Sequence, residues 1–276
     1  MTSPIPLNTT IAFVGGGNMA SALIGGLLKV GMPPKCIHVI EPDALARDRL
    51  EEVFAVNTWP IAGTFLDQCD LVVWAIKPQI FKDVSQQMAK HCSGQLHLSV
   101  AAGITTQSIS AWLGVDRIVR AMPNTPALVG LGQTGLYATP AVTKSDQALV
   151  VQLFEPTSQF IWVGKESLLD AVTALSGSGP AYVFYFIEAL CQAGEQMGLS
   201  AQEAKQLAIG TFSGASALAS QSTESPSTLR ERVTSKGGTT FAALEHMRTQ
   251  HIAQHIQAAL FAAQSRSREL GEEFGR

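Results

Sequence analysis

Residues 11–20 read Ile-Ala-Phe-Val-Gly-Gly-Gly-Asn-Met-Ala, an apolar run that passes straight into Gly15-x-Gly17-x-x-Ala20. A short strand entering such a turn is the opening of a Rossmann βαβ unit that receives a dinucleotide. Gly15 allows the tight turn out of the strand. Gly17 has no β-carbon, so the backbone can approach a pyrophosphate, and Ala20 lets the next helix lie close to the sheet. That helix begins near Asn18. The N–H groups of Asn18, Met19 and Ala20, with the positive end of the helix dipole, are predicted to face the phosphates.

Outward from this turn the alternation continues. An apolar helix (Ala22, Leu23, Ile24, Leu27, Leu28) leads to a second strand, Ile37–Ile40, ending in Glu41. Strands are then predicted at 71–76, 96–100, 117–121, 135–138 and 160–163. The run Leu71-Val72-Val73-Trp74-Ala75-Ile76 is apolar enough to be covered on both faces. The fold class is therefore α/β Rossmann, a doubly wound and mostly parallel sheet, for an N-terminal domain over 1–164.

From Lys165 strand-like runs stop, and 165–276 reads as an all-α C-terminal dimerisation domain. Segments 180–197, 200–221 and 238–273 carry Ala, Leu, Ile and Phe at helical spacing. A turn is expected at Ser176-Gly177-Ser178-Gly179 before Pro180 in a first helical turn, and a polar break at 222–227. Gly210, Ser213, Gly214, Ala215, Ser216 and Ala217 would allow helices, including those of two subunits, to approach closely.

Composition narrows the function classes. The 276 residues are 46% hydrophobic and 15% charged, which excludes extensive disorder. A net charge of −3 and the lack of any dense Lys/Arg run give no reason to bind nucleic acid. No segment reaches the run of about 18 apolar residues that a membrane span needs, and Met-Thr-Ser-Pro-Ile-Pro does not read as a signal peptide. Cys36, Cys69, Cys92 and Cys191 lie far apart without a CxxC pair, as expected of reduced thiols in a cytoplasmic protein. No metal site is expected: His246, His251 and His255 lie along one predicted helix face without further ligands at the right spacing.

In a doubly wound sheet, ligands lie beyond the carboxyl ends of the strands. Three loops there form a candidate cofactor wall: Ala75-Ile76-Lys77-Pro78, Ser99-Val100-Ala101-Ala102-Gly103, and Met122-Pro123-Asn124-Thr125-Pro126. Lys77 would contact a nucleotide, with a solvated surface lysine as the alternative. Asn124 supplies adaptable hydrogen bonds. Glu41 is placed to accept from adenosine ribose hydroxyls, which favours NAD unless Arg47 or Arg49 folds back to offset its charge. In the helical half, Thr234-Ser235-Lys236-Gly237-Gly238-Thr239-Thr240 precedes an apolar helix and suits a small carboxylate. The alternative is a capped interhelical turn.

These segments, in this order, resemble the pyrroline-5-carboxylate reductase family: Phe-Val-Gly-Gly-Gly-Asn-Met-Ala, Ala-Ile-Lys-Pro-Gln at 75–79, Ser-Val-Ala-Ala-Gly at 99–103, Met-Pro-Asn-Thr-Pro at 122–126, Asp-Ala-Val-Thr-Ala-Leu-Ser-Gly-Ser-Gly-Pro-Ala-Tyr at 170–182 and Gly-Gly-Thr-Thr at 237–240. The resemblance spans roughly residues 11 to 270. It implies NAD(P)H-dependent reduction of Δ1-pyrroline-5-carboxylate to L-proline, the last step of proline biosynthesis. It also implies a homodimer, commonly assembled into a decamer of five dimers. By motif match, Ser235, Gly237, Gly238, Thr239 and Thr240 bind the substrate, and Thr240 is catalytic through a hydroxyl against the ring nitrogen. Family habit implies NADPH as cofactor, with NADH compatible with Glu41. One departure is Lys236, where the family often has proline, so the loop's rigidity is in question.

Two rivals stand beside this reading. The nearer is a related imine or β-hydroxyacid reductase. The hydroxyacid version would need a lysine on the helix after the Gly-rich segment, and Ala181–Cys191 has none, whereas an imine reductase of different substrate size stays open. A non-catalytic nucleotide sensor would leave Thr240 as a mere cap.

Overall fold

Strand β1 (Ile11–Val14) enters the sheet fully buried, and the chain alternates from it: α1 (Asn18–Lys29), β2 (Ile37–Ile40), α2 (Ala44–Phe54), β3 (Asn57–Trp59), β4 (Leu71–Trp74), α3 (Pro78–Met88), β5 (Leu96–Ser99), α4 (Thr106–Leu113), β6 (Ile118–Met122), β7 (Gly132–Ala138), α5 (Lys144–Phe154) and β8 (Ser158–Trp162). These features come from a computed structural model that describes Pro6 and residues 9–275. The N-terminal segment weighed above as a signal peptide lies, apart from Pro6, outside the described residues.

The eight strands form one sheet in the order β3-β2-β1-β4-β5-β6-β7-β8. Every neighbouring pair is parallel except β6 with β7, where Val119 pairs Ala138 and Met122 pairs Gly135 in antiparallel register. Strand alternation divides the core in two. Ile11, Phe13, Val39, Leu71, Val73 and Leu98 pack on one face with Leu23 and Leu27 of α1. Ala12, Val14, Ile40, Val72 and Trp74 pack on the other with Phe81 of α3 and Ile109 of α4.

The sheet departs from the expected strands at β3. Asn57-Thr58-Trp59 is only three residues long and none is buried, so it carries no apolar signal. Backbone pairing of Val39 with Thr58 and of Ile40 with Trp59 makes it a strand.

Two compact units emerge, Met1–Ser178 with Ala262–Arg276, and Gly179–Phe261. The division differs from the expected one near residue 164. Residues 165–178 remain with the sheet because α6 (Leu168–Val172) packs on β7. A β-carbon at Gly135 would lie 2.7 Å from Val172 Cγ1, and one at Gly177 2.4 Å from Met122 Cε, so both glycines admit that packing. The last turns of α11 (Ile252–Phe274) also belong to the first unit, where Ser267 Oγ donates to Asp170 at 2.7 Å.

The second unit holds α7 (Gly179–Gln196), α8 (Ala201–Gln221), α9 (Pro226–Arg232), α10 (Thr239–Thr249) and the start of α11. The turn expected at 176–179 is instead the end of a π-helical segment, Thr173–Gly177, where the Ser178 N–H reaches back to Thr173 O at 2.8 Å. Helix α7 follows it directly. The polar break at 222–227 contains the start of α9, with Ser225 as N-cap and Pro226 in the first turn.

The long helix expected over 238–273 is broken. His251 has φ 53°, a left-handed conformation that ends α10, and α11 restarts at Ile252. His246 and His255 therefore lie on different helices, and the predicted histidine face does not form. Helix α8 begins with a capping box in which Ser200 and Glu203 bond reciprocally. Gly194 of α7 faces Ala204 of α8, where a β-carbon would sit 2.9 Å from that of the alanine. Gly210 and Gly214 meet nothing within 4 Å.

Candidate coenzyme and substrate sites

The glycine turn is built as its chemistry requires. Gly15 has φ 93°, its N–H donates to Ile40 O at 2.8 Å, and a β-carbon there would sit 2.7 Å from Ala75 O. Only glycine satisfies both the positive φ and the approach of β4's end. Gly17 is the opposite case. A β-carbon there would meet nothing within 4 Å, so its face is open. It is the N-cap of α1, and no side chain caps that helix. The helix thus presents an open positive end beside a bare glycine, which fits the pyrophosphate of a dinucleotide. Asn18 is exposed at this end, Met19 half-buried and Ala20 buried against the sheet.

Glu41 lies against the same turn. Its Oε2 accepts the Gly16 N–H at 3.0 Å and its Oε1 accepts the Asp43 N–H at 3.1 Å. A carboxylate can accept about four hydrogen bonds, so each oxygen keeps capacity for a ribose hydroxyl. Arg47 folds back over the same strand end, with Nη1 donating to Glu41 O and Pro42 O, both at 2.9 Å. The sequence raised Arg47 as one of two residues that could offset the charge of Glu41. It folds back to this strand end, but its bonds here are to backbone carbonyls rather than to the carboxylate.

The other predicted cofactor residues are placed unevenly. Ala75 continues β4, with its N–H on Val14 O at 2.9 Å, and adjoins Gly15. Lys77 is exposed and serves as N-cap of α3, with Pro78 in the first turn and no side-chain cap. Ala101 and Gly103 are buried and Ala102 half-buried. Asn124 is committed to the fold. It is 7% exposed, its Nδ2 donates to Ser176 O at 3.0 Å, and its Oδ1 accepts the Gln133 N–H at 2.8 Å. The adaptable side chain read from the sequence is a staple between the β6–β7 connection and the π-helical segment.

Polar groups under this edge were not singled out by sequence. Trp74 Nε1 donates to His97 Nδ1 at 3.2 Å across β4 and β5, and His97 Nε2 lies 3.2 Å from Cys92 O. An indole N–H only donates, so Nδ1 carries no proton and Nε2–H faces the carbonyl. Burial, with Arg117 adding to it, lowers the His97 pKa to about 4 against the pull of the Cys92 carbonyl, so the ring is neutral. Burial also pushes the Cys69 thiol up to about 12, reinforced by Asp70 and Asp67, and the Cys92 thiol to about 12. These are inert packed thiols. Glu166, Arg120 and Thr106 form a further cluster. In the sequence Glu166 is one acid before a short helix, and nothing distinguishes it from a solvated one.

In the second unit, Ser235, Gly237, Gly238, Thr239 and Thr240 come together as one loop and helix start. Gly237 has φ 74°, and the Gly238 N–H donates to Ser235 O at 3.0 Å. Ser235 Oγ lies where a β-carbon on Gly238 would clash, at 2.6 Å. Gly238 is the N-cap of α10, again with no side-chain cap, and Thr240 is half-buried one residue into that helix. Both glycine motifs therefore end in a helix whose first N–H groups no side chain takes. By contrast α2, α4, α5, α8 and α9 are capped by Asp43, Thr105, Thr143, Ser200 and Ser225. The unit also exposes large apolar side chains, including Phe184, Tyr185, Leu218 and Phe261, each at least 65% accessible. Such a surface marks an association face. No helix among the described residues is long and apolar enough to cross a membrane.

Comparison with known proteins bears on both units. A family model described as pyrroline-5-carboxylate reductase dimerisation matches residues 166–270, and one described as NADP oxidoreductase, coenzyme F420-dependent, matches 10–103. The pyrroline-5-carboxylate reductase of Pseudomonas aeruginosa is 42% identical over 96% of this chain and 98% of its own length. A solved structure of the Coxiella burnetii enzyme superposes with a TM-score of 0.89 at 38% identity, covering 95% of this chain and 98% of that one. The Plasmodium falciparum pyrroline carboxylate reductase, solved with NADP bound, gives 0.86 at 28% identity over 96% and 98%. With a glycine turn open at Gly17, a second open helix start at Gly238 and relatives matched over nearly their whole length, the chain belongs to the pyrroline-5-carboxylate reductase family.

Proposed function

We propose that this chain reduces the C=N bond of Δ1-pyrroline-5-carboxylate to give L-proline, with NADPH as reductant and NADH as a tolerated alternative. The observation that carries the reading is the pair of uncapped, glycine-bounded helix starts at Gly17 and Gly238, one suited to a pyrophosphate and the other to a carboxylate. Each falls inside a stretch that matches its own family model.

The coenzyme, when bound, supplies a hydride to the imine carbon, while a proton balances the ring nitrogen. The chain's own part is binding and orientation. Gly17 and the first-turn amides of Asn18, Met19 and Ala20 hold the pyrophosphate, and Glu41 receives the adenosine ribose. Ala75, Lys77, Pro78 and Ala101–Gly103 border the rest, and Asn124 shapes its loop from behind. Ser235, Gly237, Gly238 and Thr239 hold the substrate carboxylate on backbone N–H groups and hydroxyls. Thr240 sets its hydroxyl against the ring nitrogen, where it orients the iminium and passes a proton. A protonated cyclic imine already accepts hydride well, so a His–Asp pair is not needed.

The apolar surface of the second unit supports a homodimer through the helical domain, and assembly of five dimers into a decamer is the finer form of that proposal. The same reading places the protein in the cytoplasm, where thiols such as Cys69 and Cys92 stay reduced. A β-hydroxyacid dehydrogenase is disfavoured because α7 contains no lysine. The deciding assay follows loss of nicotinamide absorbance with pyrroline-5-carboxylate, and runs 3-hydroxyacids in the oxidative direction. Turnover of hydroxyacids alone overturns the assignment, and coenzyme binding without turnover on either substrate supports a sensor.

A further inference from the structure

Glu166 lies between β8 and α6, outside the glycine turn and outside the strand-end loops. Its carboxylate gathers three donors. Oε1 accepts the Thr106 N–H at 2.6 Å and Arg120 Nη1 at 2.8 Å, and Oε2 accepts the Thr106 hydroxyl at 2.8 Å. Thr106 opens α4, so the acid sits on the positive end of that helix and occupies an N–H that the helix itself cannot satisfy. Arg120 projects from the middle of β6 with its side chain 8% exposed, and Glu166 is its charge partner.

The loop just before Thr106 is also pinned from a second direction. Gly103 has φ 79°, and a β-carbon on it would sit 2.9 Å from Gly271 N. One on Gly271 would sit 2.7 Å from Gly103 O. Ser108 Oγ of α4 donates to Gly275 O at 2.5 Å. The connection from β5 to α4 is thus held by an acid sixty residues further along the chain and by the last turns of α11. Neither anchor belongs to the βαβ alternation.

We propose that Glu166 is a positioning residue for coenzyme binding: by capping α4 and fixing Arg120, it sets the backbone of Ala101-Ala102-Gly103. The inference rests on the coenzyme reading of that loop. A carboxylate is needed because the Arg120 guanidinium beside it is buried and must meet a negative charge. An amide can keep the bonds to Thr106, whose hydroxyl accepts as well as donates, but it leaves Arg120 without its charge partner and releases the loop on that side.

The test compares wild-type protein with Glu166→Gln and Thr106→Val. The dissociation constant for NADPH is read from quenching of protein fluorescence, the KM for each substrate and kcat from turnover, and the melting temperature from unfolding. In Glu166→Gln the dissociation constant and KM for NADPH rise about tenfold, the scale of a misplaced binding loop. The KM for pyrroline-5-carboxylate stays unchanged. Thr106→Val, which loses the hydroxyl bond alone, shifts NADPH affinity in the same direction by less and folds normally. A lowered melting temperature with unchanged NADPH affinity overturns the proposal. If Glu166→Gln does not fold, unchanged affinity in Thr106→Val overturns it equally. Failure of wild-type protein to bind NADPH would instead remove the coenzyme reading itself, and the positioning role with it.

Discussion

The carboxylate of Glu41 accepts the backbone N–H of Gly16 at 3.0 Å, and so ties the end of β2 to the turn between β1 and α1. On the function proposed above, the carboxylate expected to receive the adenosine ribose is thus the one that braces the glycine turn.

Glu41→Ser removes a negative charge from the place where a 2′-phosphate would lie, while Arg47 remains on the Glu41 and Pro42 carbonyls. The ratio of kcat/KM for NADPH over NADH is expected to rise about tenfold, the effect of one close charge near the surface. Stability falls by about 1 kcal/mol because Gly16 loses an acceptor. An unaltered ratio would mean that the carboxylate does not face the ribose.

The two outer glycines of the turn separate folding from binding. Gly15→Ala forces a β-carbon into Ala75 O at φ 93°, so it lowers the melting temperature and coenzyme affinity together. A β-carbon at Gly17 meets no protein atom, so Gly17→Asp should melt no lower than wild type, yet it sets a carboxylate at the open end of α1. NADPH affinity is expected to drop at least about tenfold there. Normal binding by Gly17→Asp, measured by fluorescence titration, would move the pyrophosphate elsewhere.

Thr240→Ala removes a hydroxyl just inside α10. It is expected to lower kcat by roughly ten- to a thousandfold with NADPH affinity unchanged, the range for losing an orienting or proton-handling group. Steady-state kinetics with both substrates varied decides it. Wild-type turnover in the variant would leave Thr240 with a structural role only.

His97 makes folding stability depend on acid. Its folded pKa of about 4 lies below the ordinary value of 6.5, so between these values the unfolded chain binds the extra proton. The stability this group contributes is complete above pH 6.5 and is lost as pH falls toward 4, by about 3 kcal/mol in all. Urea unfolding across this range should show the slope in wild type and a reduced one in His97→Gln. Parallel profiles would mean that other groups carry the acid sensitivity.

Much of this protein is legible from local rules. The strand-to-glycine transition at Val14–Gly17, the helix start at Asn18 and the buried run at Leu71–Trp74 follow from residue type and spacing alone. So do the switch to helices in the second half and the Gly-Gly-Thr-Thr helix start, because each depends on neighbours within a few positions. Local rules mislead where a residue's partner is distant. Asn124 reads as a ligand-facing amide and is instead held by Gln133 and Ser176. His251 carries no helix-breaking signal, yet its left-handed φ splits the long C-terminal run.

Sequence by itself determined the Rossmann half, the helical half, the two glycine-bounded helix starts and the family. Tertiary structure alone decided that polar Asn57–Trp59 joins the sheet, that 165–178 and the end of α11 stay with the first unit, and that Glu166 caps α4 beside Arg120. The reason is physical. Periodicity and turn chemistry act over a few residues and are written in order along the chain, whereas strand pairing, glycine-to-glycine approach and buried charge pairing join positions tens to well over a hundred residues apart, as between Ser108 and Gly275. They exist only once the backbone has closed on itself.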